Sequence, residues 1–490
     1  MTVKYDGLMY ERVYNIFKNK IECGIIPAGT KLPSRGDLCQ EFGTSEKTIR
    51  RVLTMLEENG LIETQQRKRP VVSAQQNAGH QTTTLALEKI DTSVTDEVIK
   101  TGVLLCYPLI KNGIFLCEQE DFEIPRKILE NMKVEEPEDF WRLSKQLWRF
   151  FVARNGNDLS LRLVESLGLA DLKPLQDNRQ IRARYYGQLQ EFMGIIERGE
   201  EPERVQFDDM SGIYGFTYGS RPAFQAPSES TVILGRKHLE KLLKRAEVRY
   251  SAVYMDLLGL IAVGRYQPGD KLPTHKELQE IYHVSVDTTV KAMQILQEWG
   301  VVRAVRGNGI FVEMDITDLK KIEIPSHLIA CHVRRYLDTL ELLCLTVEGV
   351  AACAAEHATP EDIKELETNI DELWNVNYLY ERTPAILLQF ITDHVKMDTL
   401  SAIYTLLQQN FRIGRSIPAL VNTKKIALNC EIHDQCLKAV ALLAEGKRRE
   451  FSEQIARLFT NIYSLVVGAC KQLDYYEAAV EIYDGKSLWK

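Results

Sequence analysis

The sequence predicts a mainly α chain in which a small helical domain with a β-hairpin occurs twice, each copy followed by an all-helical segment. Three observations carry this. First, "PAGTKLPSRGDL" at residues 27–38 returns as "QPGDKLPTHKEL" at 267–278. Second, residues 13–60 and 253–300 align without a gap at an offset of 240, with 14 identities in 48 positions. Third, downstream of each copy apolar residues recur at helical spacing and strands do not alternate with helices. A repeat this long is no solenoid; it fits a duplicated domain or a duplicated whole protein.

Bulk properties bound the function. At 490 residues the chain has room for three or four domains. With 45% apolar and 26% charged residues it is an ordinary globular chain. The net charge of −7 excludes a histone-like coat of positive charge and leaves room for a local basic patch. "MTVKYDGLMYERVYNIF" lacks a basic start followed by an apolar core, so no signal peptide is expected. "LLCLTVEGVAACAA" (342–355) contains Glu348 and is too short to span a bilayer. The ten cysteines include no C-x-x-C pair and read as reduced, mostly buried thiols. The expected location is cytoplasmic, with no membrane partner.

Each copy reads the same way. A first helix, about 8–22 or 248–263, carries Val13, Ile16, Phe17 and Ile21, or Val253, Leu257, Leu260 and Ile261, at helical spacing. It stops at Gly24 or Gly264. After a Pro/Gly turn, Ser34 or Thr274 caps a short helix, 35–42 or 275–282, with Asp37 or Glu277 completing a capping box. "GTS" or "HVS" leads into a third helix, 46–59 or 286–299, capped by Ser45 or Ser285 and ended by Gly60 or Gly300. Two short apolar stretches follow around a polar tip: "LIET" and "PVVS" around "QQRKR", then "VVRAV" and "IFVEM" around "RGNG". Three helices and a hairpin make a winged helix-turn-helix.

"PGDKLPTHKELQEIYHVSVDTTVKAMQILQEWGVVRAVRGNGIFV" resembles the DNA-binding domain of the GntR family of bacterial transcription regulators. "PAGTKLPSRGDLCQEFGTSEKTIRRVLTMLEENGLI" resembles it nearly as well, over about 65 residues per copy. A recognition helix enters the major groove while cations around it hold phosphates. The candidate contacts in copy one are Arg35, Lys47, Thr48, Arg50, Arg51 and the wing residues Arg67, Lys68 and Arg69. In copy two they are Lys276, Thr288, Thr289, Lys291, Arg303, Arg306 and Asn308, all expected to be exposed. The resemblance puts Thr48 and Thr288 at one family contact position and Arg50 at another, which Val290 fills in copy two. Where the family has arginines, the chain has Gly36 and Lys276, then Glu46 and Val286. The two copies are therefore expected to prefer different half-sites.

The helical segments complete the plan. In the second, Thr359 and Pro360 open a new helix at "HATPED", and blocks 384–412 and 425–470 follow. This segment resembles the all-helical FadR-type (FCD) effector domain, and 96–216 resembles a worn copy of it. The expected domains are a winged domain over 1–75, a linker 76–95 and a helical domain 96–216. A second linker 217–240, winged domain 241–315 and helical domain 316–490 follow.

Many FCD-type bundles hold a divalent metal with an Asp and three His. Here His394 and His433 stand where two of those histidines would, with Asp393 beside the first. Phe390 occupies the acid's place, the third histidine is missing, and Trp148 and Tyr186 fall at the positions in the first bundle. With the ligand set incomplete, no cofactor is expected, a divalent metal being the alternative, and His394, His433 and Asp393 become candidates for effector binding. The aromatics Trp141, Trp148, Phe150, Phe151, Tyr185 and Tyr186 read as core.

The expected function is sequence-specific operator binding by two winged domains in one chain, acting as a monomeric pseudo-dimer or as a homodimer. Its expected partners are double-stranded DNA and a small-molecule effector, an organic acid among the options. The alternatives are a scaffold that no longer binds DNA specifically, and an enzyme fusion of the pyridoxal-phosphate aminotransferase kind. No P-loop, G-x-S-x-G or H-E-x-x-H favours an enzyme.

Overall fold

The computed structural model describes residues 6–42, 44–65, 68–73, 92–166, 178–200, 249–262, 264–282, 284–315, 326–376, 382–417, 420 and 425–482. These fall into two compact units, one within Met1–Ala246 and one within Glu247–Ile482. The linker expected at 217–240, and all of 76–95 but its last four residues, lies outside the described residues.

Unit one opens with α1 (Asp6–Glu22), α2 (Arg35–Glu41), α3 (Glu46–Glu58) and a hairpin of β1 (Ile62–Glu63) and β2 (Val71–Val72). The strands are antiparallel, with Ile62 opposite Val72. The apolar residues that set the helical spacing, Val13, Phe17 and Ile21, close one core with Leu38, Ile49, Val52, Leu56 and Val72. The repeated phrase runs beside β2 and bridges it at Lys31 and Val71. Gly29 N donates to Val72 O at 2.8 Å and Leu32 N to Pro70 O at 2.9 Å. Gly29 takes φ +81°, in the left-handed region that admits glycine most readily.

Behind it lie α4 (Thr92–Phe115), α5 (Glu123–Glu130), α6 (Pro137–Ala153), α7 (Asp158–Ser166) and α8 (Arg179–Glu197). Helix α4 crosses α6 closely at Gly113, where an added Cβ would fall 1.8 Å from the carbonyl oxygen of Phe151. The aromatic set is mostly core: Trp141, Trp148, Phe150, Phe151 and Tyr185 are all buried, and Tyr186 is half-buried. Tyr185 Oη accepts from Trp148 Nε1 at 2.8 Å, so the polar edges of these rings satisfy each other.

Unit two repeats the plan with α9 (Arg249–Ala262), α10 (His275–Tyr282), α11 (Val286–Glu298) and a longer hairpin, β3 (Val302–Val305) and β4 (Gly309–Val312). Gly269 N donates to Val312 O and Leu272 N to Ile310 O, both at 2.8 Å, reproducing the first copy's bridge to the wing. The bundle holds α12 (Ser326–His357), α13 (Pro360–Trp374), α14 (Thr383–His394), α15 (Asp398–Phe411), α16 (Ala427–Ala444), α17 (Arg448–Gln472) and α18 (Tyr476–Ile482). Thr359 caps α13 in a capping box, as its sequence implies. The two later blocks each break into a pair of helices. One break is at Lys396, with φ +52°, and the other at Gly446, with φ +74°. Among the described residues no helix is long and apolar enough to cross a membrane.

Candidate nucleic-acid interface

Each recognition helix is held by its caps. Ser34 and Asp37 form a full capping box at the start of α2. In copy two Thr274 Oγ1 and N both donate to Glu277 Oε2, at 2.8 and 2.7 Å. Ser45 Oγ accepts from Thr48 N at 3.2 Å, and Ser285 Oγ from Thr288 N at 3.4 Å. These bonds satisfy amides that would otherwise lack partners in the first turns of α3 and α11.

The structure sorts the expected contacts. Arg35, Lys47, Arg50, Arg51, Lys68 and Arg69 are exposed in copy one, as are Lys276, Lys291, Arg303, Arg306 and Asn308 in copy two. Arg67 lies outside the described residues. Thr48 and Thr289, expected to be exposed, are buried at 3% and 0%. The reason is the cap: Thr48 Oγ1 lies 2.9 Å from Ser45 Oγ, turned back toward the helix start. Thr289 Oγ1 donates to Val286 O at 2.8 Å and meets His275 Nδ1 at 3.0 Å, bracing α10 against α11. Thr288 is half-buried.

Several cations are already engaged. Arg50 pairs with Glu46 at 3.0 Å along α3. The Arg51 guanidinium lies 3.6 Å over the ring of Tyr10, on α1. Lys68 donates to Gln65 at 2.9 Å, and Arg303 lies 3.7 Å from Glu313. In water such exposed pairs are worth at most about 1 kcal/mol, so they hold these cations only weakly.

The three effector candidates do not converge. His394 Nδ1 lies 2.8 Å from Phe390 O, and its Nε2 lies 3.3 Å from Asp362. Asp393 turns away and accepts from Gln389 at 2.8 and 2.9 Å. His433 stacks on Trp374 at 4.0 Å, and burial holds its pKa below the usual histidine value. These donors do not fit the closed metal site that FCD-type bundles hold. Among the described residues no three His, Cys, Asp or Glu side chains are grouped for a metal.

His433 does line a cavity of about 170 Å³ in the second bundle, together with Tyr336, Arg382, Arg412, Arg415 and Asn429. Arg412 Nε and His433 Nδ1 are buried there without a hydrogen bond among the described residues. Burial, reinforced by the Arg415 charge, disfavours the protonated form of Arg412. Arg415 binds Asp256, on the first helix of the second winged domain, at 2.8 and 2.9 Å. Tyr282, on α10, donates to the same carboxylate at 2.7 Å. Burial first, then the Asp256 charge, pushes the Tyr282 hydroxyl well above its ordinary pKa. His332 is buried nearby, with its pKa held down to about 3 by burial and by the Arg335 charge.

Sequence reasoning missed Asp256, Tyr282, Arg412 and Arg415. A signal existed: in the aligned repeat, Asp256 and Tyr282 replace Ile16 and Phe42. A carboxylate at a core helix position and a hydroxyl opposite it go together. Unit one ties its winged domain to its bundle elsewhere, through Glu22 and Arg149 at 2.7 Å.

Comparison with known proteins agrees with this geometry. The family described as "Bacterial regulatory proteins, gntR family" matches twice, at residues 9–72 and 249–312. LutR, an HTH-type transcriptional regulator of Bacillus subtilis, is 25% identical over 232 residues, 45% of this chain and all of that one. YcbG, an uncharacterized HTH-type transcriptional regulator of B. subtilis, is 29% identical over 24% of this chain. The Uxu operon transcriptional regulator of Escherichia coli is 29% identical over 25% of this chain. The chain spans about half the length of the latter two, 49% and 46%. Among solved structures, E. coli McbR/YncC is 17% identical with a TM-score of 0.24, covering 46% of this chain and 99% of that one. The chain carries twice the winged domain that this family model describes, at residues 9–72 and 249–312.

Proposed function

We propose that the chain reads one bipartite operator with its two winged domains, as an internal pseudo-dimer, and acts by binding rather than by catalysis. One observation carries this. The two scaffolds share caps, cores and wing register, while their exposed recognition residues differ. Ordinary two-fold dimers present identical helices to a palindrome. Fusion of two copies frees each half to read its own sequence. We place this activity in the cytoplasm, where the chain would meet operator DNA.

The cavity of the second bundle is the proposed effector site, and its half-buried arginines suit a small organic acid. Arg415 supports a route for the signal, because it lines the cavity and also grips Asp256 of winged domain two. An anion that binds Arg415 better when Asp256 has let go would shift the winged domain between two dockings.

Footprinting combined with light scattering tests the reading. The expected result is one protected site with unlike halves, occupied by one chain. Absence of a protected site at any promoter, with both wings intact, overturns it.

A further inference from the structure

The two recognition helices carry different chemistry on one and the same stripe. Positions 46 and 50 of α3 lie one turn apart and hold Glu46 and Arg50, an ion pair whose side chains stay 62% and 64% exposed. The aligned positions in α11 are Val286 and Val290. Val286 is 48% exposed, and Ile281, just across the helix-turn-helix turn, is 52% exposed. Val290 is half-buried. Large apolar side chains this open are few among the described residues, and two of them flank this one turn.

The cluster sits where a recognition helix meets base edges, and the major groove offers one apolar group, the thymine 5-methyl. The neighbouring cations Lys276 and Lys291, both exposed, suit a polyanionic partner rather than an apolar protein face. We infer that winged domain two selects a thymine-bearing half-site by packing Val286 and Val290 against thymine methyls. Domain one has no apolar pair at this stripe and reads its half by polar contacts instead. The inference rests on the operator reading above and names the chemistry of one half-site.

The test begins with selection of bound duplexes from a random pool by the full chain. The selected site is then rebuilt with uracil for thymine, one half at a time; uracil pairs as thymine does and lacks only the methyl. The expected result is about a fourfold loss of affinity for each contacted methyl in one half. The other half is expected to be indifferent. Val286→Ala should abolish part of the uracil sensitivity, and Val286→Thr, which keeps a methyl, should preserve it. Equal affinity for thymine and uracil duplexes, with a site still selected, overturns this inference and leaves the operator reading standing. A pool without any enriched sequence overturns both.

Discussion

Arg415 grips Asp256 through two hydrogen bonds, 2.8 and 2.9 Å, and so ties the lining of the bundle cavity to the first helix of the second winged domain. The pair is largely shielded, with side-chain exposures of 9% and 15%. Removing one partner leaves a buried charge uncompensated, which costs about 3–5 kcal/mol. Asp256→Ala should therefore lower the unfolding midpoint in denaturant far more than Tyr282→Phe, which removes a single bond. Asp256→Ile with Tyr282→Phe restores the residues of unit one, Ile16 and Phe42, and together with Arg415→Met should recover most of the loss.

The caps of the recognition helices lend themselves to a paired experiment. Ser45→Ala and Ser285→Ala each remove an acceptor for a first-turn amide, a change worth about 1 kcal/mol. Both should lower stability modestly, whereas Thr48→Ala keeps the capped amide and loses only the hydroxyl contact with Ser45, so it should cost less than Ser45→Ala. Chemical denaturation of the three variants checks the order.

His332 makes a pH prediction. Its folded pKa, about 3, lies below the unfolded value of about 6.5, so the unfolded chain takes up a proton first. The stability this neutral histidine supports is complete above pH about 6.5 and falls by roughly 1.4 kcal/mol per unit below it. Between pH 7.5 and 5, the melting temperature of the native protein should drop more steeply than that of His332→Gln.

Gly113 is the tight point of the first bundle. Because a Cβ there meets backbone, not a movable side chain, Gly113→Ala forces α4 and α6 apart. The expected cost, about 1–3 kcal/mol or more, reflects overpacking. Gly187→Ala is the control, since nothing lies within 4 Å of its Cβ position.

The winged domains were legible because their determinants are local. Caps, glycine stops and helical spacing act within a few residues, and the observed helix ends fall within about two residues of the expected ones. The breaks at Lys396 and Gly446 were not, since one depends on a lysine in a left-handed conformation and the other on a glycine within a continuous apolar pattern. The cavity and the Arg415–Asp256 pair join residues 159 positions apart, beyond the reach of any spacing rule. Thr48 and Thr289 are buried where exposure was expected, because hydroxyls near a helix start serve the backbone as readily as a ligand.

The unlike stripes Glu46–Arg50 and Val286–Val290 have a geometric consequence. A reader with two-fold symmetry has no front or back, and its palindrome can be inverted without effect. A reader with two different recognition helices has a heading on the duplex. On the proposed operator reading, turning the site end for end turns the whole protein around on the duplex, whereas a symmetric reader would be unchanged.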